Sequence, residues 1–112
     1  MAQDFERYLQ QNISNSSGSP TTLRAAADSD DAIIGIRCSN TSGTSVNVTV
    51  YVENSSTTYH IIKDAPIPSG SSLQVLDGGA KFVVQSGDAL KVISDTASSL
   101  DVWVSTVDAI ST

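Results

Sequence analysis

Cysteine is nearly absent from this chain, aromatic and basic residues are scarce, and no long apolar run occurs; each shortage removes a class of protein. The single cysteine, Cys38, has no partner for an intramolecular disulfide, and no Cys/His spacing resembles a structural zinc site. The fold therefore rests on burial alone. That burial is modest, because 39% of the residues are hydrophobic and only 5% aromatic, so the large area that Phe, Tyr and Trp remove from water is mostly missing. Association completes such a core, and the expected folded unit is a homo-oligomer or a subunit docked on a larger assembly. Six basic against twelve acidic residues leave a formal charge of −6. Direct binding to a nucleic-acid backbone, which needs a cationic surface, is not expected. No apolar stretch approaches membrane-spanning length, and MAQDFERYLQ has neither the basic start nor the apolar core of a secretory signal. The chain is expected to be made in a cytoplasm and to stay soluble there or enter a particle assembled inside the cell.

At 112 residues the chain is long enough for one core and too short for two. From Ile61 to Val107 short apolar bursts are cut repeatedly by turn residues, which reads as strand after strand with little helix. Upstream, SVNVTVYVEN alternates cleanly: Val46, Val48, Val50 and Val52 share one face, and Asn47, Thr49, Tyr51 and Glu53 the other, the period of a half-buried antiparallel strand. AIIGIRCS, from Ala32 to Ser39, places Ile34, Ile36 and Cys38 on a buried face with Gly35 and Arg37 opposite. NTSGTS between these two runs has the composition of a hairpin loop, so the two strands are expected to pair. Pro66 and Pro68 are expected to end the TYHIIKDAPI strand. Asp77-Gly78-Gly79 supplies glycine for a tight hairpin before KFVVQ.

These segments predict an all-β fold, an antiparallel β-sandwich or small jelly-roll-like barrel of about eight strands. The absence of helical crossovers rules out a parallel sheet. Residues 1–19 form an N-terminal arm or a first strand, with Phe5, Arg7, Leu9 and Gln11 on one face if extended, and residues 20–112 form a single β-sandwich domain. An arm of this kind would suit pairing with a neighbouring subunit.

Chemistry finds little to hold on to. His60 is the only histidine, and Asp64 and Asp101 are imaginable partners for it, but no motif joins them; a structural or surface role is the plainer reading. Asp64, Asp77, Asp88 and Asp95 sit at predicted strand ends and turns, where Asp caps the backbone, which weakens a two-carboxylate glycosidase reading. Asp28, Asp30 and Asp31 form the only acidic cluster and read as a solvated connector in preference to a calcium loop. DGGAK is followed by a strand and not by a phosphate-binding helix. Cys38 reads as a small buried apolar residue. No catalytic, cofactor-binding or metal-ligating residue is assigned, and no cofactor is expected. Trp103, between Val102 and Val104, faces away from the core if those valines face in. It suits a protein interface, a peripheral core position or, with Tyr51 and Tyr59 as companions, a sugar contact.

KDAPIPSGSSLQVLDGGAKFVVQSGDALKVISDTASSLDVWVS, from Lys63 to Ser105, joins a Pro-rich turn into Ser-Gly-Ser-Ser-Leu, a GD-x-L-x-V hairpin from Gly87 to Val92 and a final DVWVS strand. Together with the opening MAQDFERY and the stretch IGIRCSNTSG from Ile34 to Gly43, it resembles small virion structural proteins of tailed bacteriophages, particularly phages of marine bacteria and cyanobacteria. The resemblance implies a non-enzymatic virion part in many copies, foremost a capsid decoration or cement protein, with a neck, tail or baseplate component as the alternative. It implies localisation in the virion after synthesis in the host cytoplasm. The implied partners are the chain itself and other virion proteins, such as the major capsid protein or neck and tail proteins, with no direct nucleic acid and no membrane. It carries over no functional residues; the contact candidates from the residues themselves are Phe5, Tyr8, Leu9 and Trp103. From a different class, a carbohydrate-binding host-adhesion module stays open.

Overall fold

Alternation decides which side chains go inside. Val46, Val48 and Val50 are fully buried, as are Leu90 and Val92 in the neighbouring strand of the same sheet and Val102 and Val104 in the last strand, each separated by one residue that points to the other face. The computed structural model describes residues 4–16, 18–25, 30–76 and 82–108. In them lie the strands β1 (Asp4–Gln11), β2 (Thr21–Arg24), β3 (Asp31–Asn40), β4 (Val46–Asn54), β5 (Thr57–Ile67), β6 (Ser72–Leu76), β7 (Phe82–Val84), β8 (Asp88–Ser94) and β9 (Leu100–Asp108). They make two antiparallel sheets. The front sheet runs β1-β9-β3, with β6 and β7 both on the far side of β3; the back sheet runs β2-β8-β4-β5.

The pairings are nested. β1 pairs β9, β2 pairs β8, β3 pairs β6 and β7, and β4 pairs β5, every one antiparallel. The chain is thus one long hairpin, folded about the β4–β5 turn and rolled into two layers, which is the jelly-roll arrangement. β6 and β7 follow one another along β3, Leu76 opposite Ile36 and Phe82 opposite Ile33. They act as one interrupted strand, so the roll has eight strand positions.

Several expectations need correction. β3 and β4 do not pair: β3 already has β9 on one side and β6 and β7 on the other, so the chain crosses to the back sheet. Buried Asn40 holds that crossing. Its amide donates to the carbonyls of Thr44 at 2.7 Å and Ile67 at 2.9 Å, while its Oδ1 accepts from the Ser42 N–H at 2.9 Å. Asp77-Gly78-Gly79 lies outside the described residues, but the strands flanking it pair with β3 and not with each other. The Gly87–Val92 stretch is not a hairpin either. Asp88 N–H donates to the Gln85 carbonyl at 2.9 Å in a turn that carries the chain from front to back sheet, and Gly87, at φ 99°, adopts there a conformation that L side chains resist. Pro66 does not end β5 but sits inside it, opposite Asn47, which is allowed because β5 is an edge strand with no neighbour to receive a donated N–H.

β3 departs most from simple alternation. Its pairing with β9 steps from Ile33–Thr106 to Gly35–Ser105, leaving Ile34 as an extra residue. This bulge switches the parity of the strand, so Ile33, Ile36 and Cys38 are buried while Ile34 faces outward. The acidic connector is likewise not wholly solvated. Asp31 is completely buried, its Oδ2 2.9 Å from the equally buried Arg24 Nε, and Arg24 Nη1 donates to the Asp88 carbonyl at 2.6 Å. This cluster ties β2 and β8 of the back sheet to β3 of the front sheet at one end of the roll.

Candidate functional site on the outer face of the front sheet

A strand with one buried face presents its other face to solvent, and in the front sheet that outer face is unusually apolar. Of the five large apolar side chains exposed among the described residues, four lie on it: Phe5 at 82%, Val83 at 58%, Trp103 at 52% and Leu9 at 46%. The register stacks them into rungs across all strand positions. One rung runs Phe5–Val107–Ala32–Val83, the next but one Leu9–Trp103–Arg37–Gln74, each neighbour a direct cross-strand partner. Arg7, Ser105 and Gly35 lie between them, with the bulged Ile34 alongside.

Trp103 is the ridge of this face. On one side lies an open groove of about 790 Å³ whose walls include Leu9, Arg37, Gln74 and Asp101; on the other is a shallower hollow of about 440 Å³ between Phe5, Arg7 and Ile34. The Arg7 guanidinium carbon stands 5.7 Å from the centroid of the Trp103 ring, a cation–π contact. Arg37 donates to Gln74 Oε1 from Nη2 at 2.7 Å and from Nε at 3.1 Å. Ion pairs among the described residues are Arg24–Asp31 and Lys91–Glu53, neither on this face. A chain of formal charge −6 thus sets two arginines beside its most exposed apolar surface.

The four contact candidates divide. Phe5, Leu9 and Trp103 share the outer face, Leu9 directly opposite Trp103. Tyr8 turns the other way and is half-buried against the core. Val83, Ile34, Arg7 and Arg37 belong to the same surface and were not among the contact candidates, Ile34 having been expected in the core. The grouping of Phe5 with Arg7 and Leu9 was visible in the strand parity of β1; that of Val83 required the pairing of β7 with β3.

The remaining candidates do not assemble. His60 belongs to β5 in the back sheet, where its ring lies 5.8 Å from that of Tyr51, whereas Asp101 is in β9 of the front sheet. Asp64 is held in a bulge of β5, its N–H donating to Thr49 Oγ1 at 3.0 Å. Burial pushes the Cys38 thiol up to about 12, so it stays protonated and inert as a nucleophile near neutral pH. No group of three or more His, Cys, Asp or Glu among the described residues is placed to hold a metal ion. Tyr51 and Tyr59 lie in β4 and β5, away from Trp103.

Known proteins add no identity to this geometry. No family model matches the chain, and no curated protein or solved structure matches it. What the face can do follows from its own make-up: it can bury apolar area against a partner and offer two guanidinium groups to carboxylates at the rim.

Proposed function

We propose that this chain is a non-enzymatic structural subunit of a tailed-phage particle, a capsid decoration protein present in many copies and docked through the outer face of its front sheet. The single observation that carries the reading is the pair of apolar rungs containing Phe5, Val83, Leu9 and Trp103, an exposed surface of a kind that soluble monomers rarely leave uncovered. The resemblance of residues 63–105 to virion proteins supplies the setting, and jelly rolls serve both capsid and lectin roles, an analogy at the level of fold. Arg7 and Arg37 suit a partner surface bearing carboxylates. Many modest contacts repeated by particle symmetry reinforce one another.

The glycan-binding alternative has one point in favour, the polar wall of Arg37, Gln74 and Asp101 beside Trp103. Against it, Trp103 is the one aromatic residue lining that groove among the described residues, Tyr51 and Tyr59 lying in the back sheet, whereas sugar sites usually stack a ring on more than one aromatic.

Electron cryomicroscopy of particles that incorporate the chain tests the assignment. The expected result is repeated density on the capsid with the front sheet turned inward, and loss of incorporation for a folded Trp103→Ala variant. Density confined to neck, tail or baseplate would remove the decoration role and keep the structural one. Saturable glycan binding lost in Trp103→Ala, with no particle association, would overturn both.

A further inference from the structure

We infer that β1, which no strand among the described residues pairs on the side away from β9, pairs antiparallel with β1 of a second copy of this chain, joining two front sheets into one across a two-fold axis. Edge geometry alone carries this, independently of the virion assignment. The other edges are blunted. β5 has two register shifts against β4, holds Asp64 at φ 52° and contains Pro66. β2 is four residues long and shifts register within them. The far side of β3 is covered by β6 and the three-residue β7, with a further shift between Ile36 and Arg37. β1 has none of these devices. It runs for eight residues in unbroken register, from Asp4 opposite Asp108 to Gln11 opposite Asp101, without proline. Its first positive φ, 55°, comes at Asn12, after the strand has ended. A straight edge of this length presents a row of backbone donors and acceptors on the side away from β9, and folded proteins pair or cover such rows.

The charges of β1 select the register. A two-fold axis perpendicular to the sheet sets a residue opposite the one equally far beyond the axis, on the same face. Centred on Phe5, Asp4 would oppose the partner's Glu6. Centred on Glu6 or on Arg7, like charges would meet on the axis itself, which destabilises a cross-strand pair. Centred on Tyr8, Arg7 opposes the partner's Leu9, Glu6 opposes the partner's Gln10 and Phe5 opposes the partner's Gln11, with no like charges in contact. Centring on Leu9 also avoids repulsion but pairs a shorter length of strand. The Tyr8-centred register therefore joins the outer faces of the two front sheets into one of doubled width, the Leu9 rung of each copy continuing into the partner's Arg7 rung.

Sedimentation velocity on the full chain, with Leu9→Lys, Leu9→Glu and the double variant Arg7→Glu/Leu9→Lys, tests the pairing. Leu9 is exposed, so these variants are expected to keep the wild-type far-UV circular dichroism. Wild type should dimerise. Leu9→Lys places a cation opposite the partner's Arg7 twice by symmetry and should raise the dissociation constant roughly tenfold, while Leu9→Glu lowers it. The double variant reverses the cross-strand charges and should return the constant to within about threefold of wild type. A wild-type monomer at every concentration reached would overturn the inference and leave the edge to a strand of another protein. A dimer that Leu9→Lys and Leu9→Glu change in the same direction would overturn it as well.

Discussion

Replacing Asp31 with Asn should destabilise the domain more than any surface change, and the size of the effect follows from the corner it occupies. Asp31 and Arg24 are both fully buried, with Oδ2 and Nε 2.9 Å apart, and Arg24 also donates to the Asp88 carbonyl at 2.6 Å. Asn keeps an acceptor oxygen of nearly the same shape but removes the charge that balances the guanidinium. Leaving one member of a buried ion pair without its counter-charge costs about 3–5 kcal/mol. Small domains hold about 5–15 kcal/mol in all, so a fifth or more of the total is at stake. At roughly 4 °C per kcal/mol for a chain of this size, the melting temperature should fall by about 12–20 °C.

The pair also separates two explanations of that loss. If the cost is desolvation of an unbalanced charge, replacing both partners with apolar residues, Arg24→Met with Asp31→Leu, should recover most of it, because a buried ion pair is seldom more stabilising than well-packed hydrophobic side chains. Urea unfolding monitored by circular dichroism measures Asp31→Asn, the double variant and the singles Arg24→Met and Asp31→Leu, the last three closing a double-mutant cycle with a coupling of about 2–3 kcal/mol. A loss below about 1 kcal/mol for Asp31→Asn, or a double variant as unstable as the sum of the singles, would refute the reasoning.

Three further outcomes are expected. Ser55 and Ser56 turn the chain from β4 to β5 with φ of 50° and 66°, so Ser55→Asn with Ser56→Gly should stabilise by about 1 kcal/mol in urea unfolding; a loss would show that the serines make contacts worth more than the backbone conformation costs. Asn40→Ala removes the donors and acceptor that hold the front-to-back crossing and should cost about 1–3 kcal/mol by the same assay, since it leaves the buried Ile67 carbonyl with only a long contact from Ser45 Oγ and takes the acceptor from the Ser42 N–H. Cys38, raised from 9.0 to about 12 by burial, keeps its proton when folded while the unfolded thiol ionises; stability should therefore be intact below pH 9 and fall by about 1.4 kcal/mol per pH unit from this group above it. Cys38→Ala should flatten that alkaline slope, and modification of the native thiol by a disulfide reagent at pH 8 as fast as in urea would contradict its burial.

Strand existence was legible because it is a local property. The valines of β4 and the Val102–Trp103–Val104 alternation of β9 announce their buried faces two residues at a time. Turn positions were legible for the same reason. Pairing was not, because it depends on which edges are already taken: β3 and β4 are neighbours in sequence with an apt loop between them, yet β9, some sixty positions onward, claims the edge. The roll is a nested set of long-range pairings, and only the innermost, β4 with β5, is a hairpin that a local reading can find. Asp31 was misread for a related reason. The residues that precede it are polar, and the arginine that balances it arrives from another strand, so nothing within the acidic connector signals that one of its carboxylates is inside.

The candidate face shows how a surface can be assembled from residues that are individually unremarkable. Single exposed apolar side chains are ordinary on any protein, and none of Phe5, Val83, Leu9 or Trp103 would merit notice alone. Three structural facts turn them into one feature. The unbroken register of β1 against β9 brings Leu9 to Trp103; the extra residue at Ile34 shifts β3 so that an isoleucine joins the outside while Ile33 stays in the core; and β7, by following β6 along β3, adds Val83 to the rung that begins at Phe5. The bulge matters most for function. Without it the parity of β3 would place Arg37 in the core and Ile36 outside, removing the guanidinium that borders Trp103 and leaving the face with a single cation. Deletion of Ile34 itself is a different change: it takes out the extra residue and leaves Ile33 and Ile36 facing in and Arg37 facing out, so it should cost the core little and remove one apolar side chain from the face, whereas a melting temperature lowered by more than about 10 °C would show that the strand slips register instead.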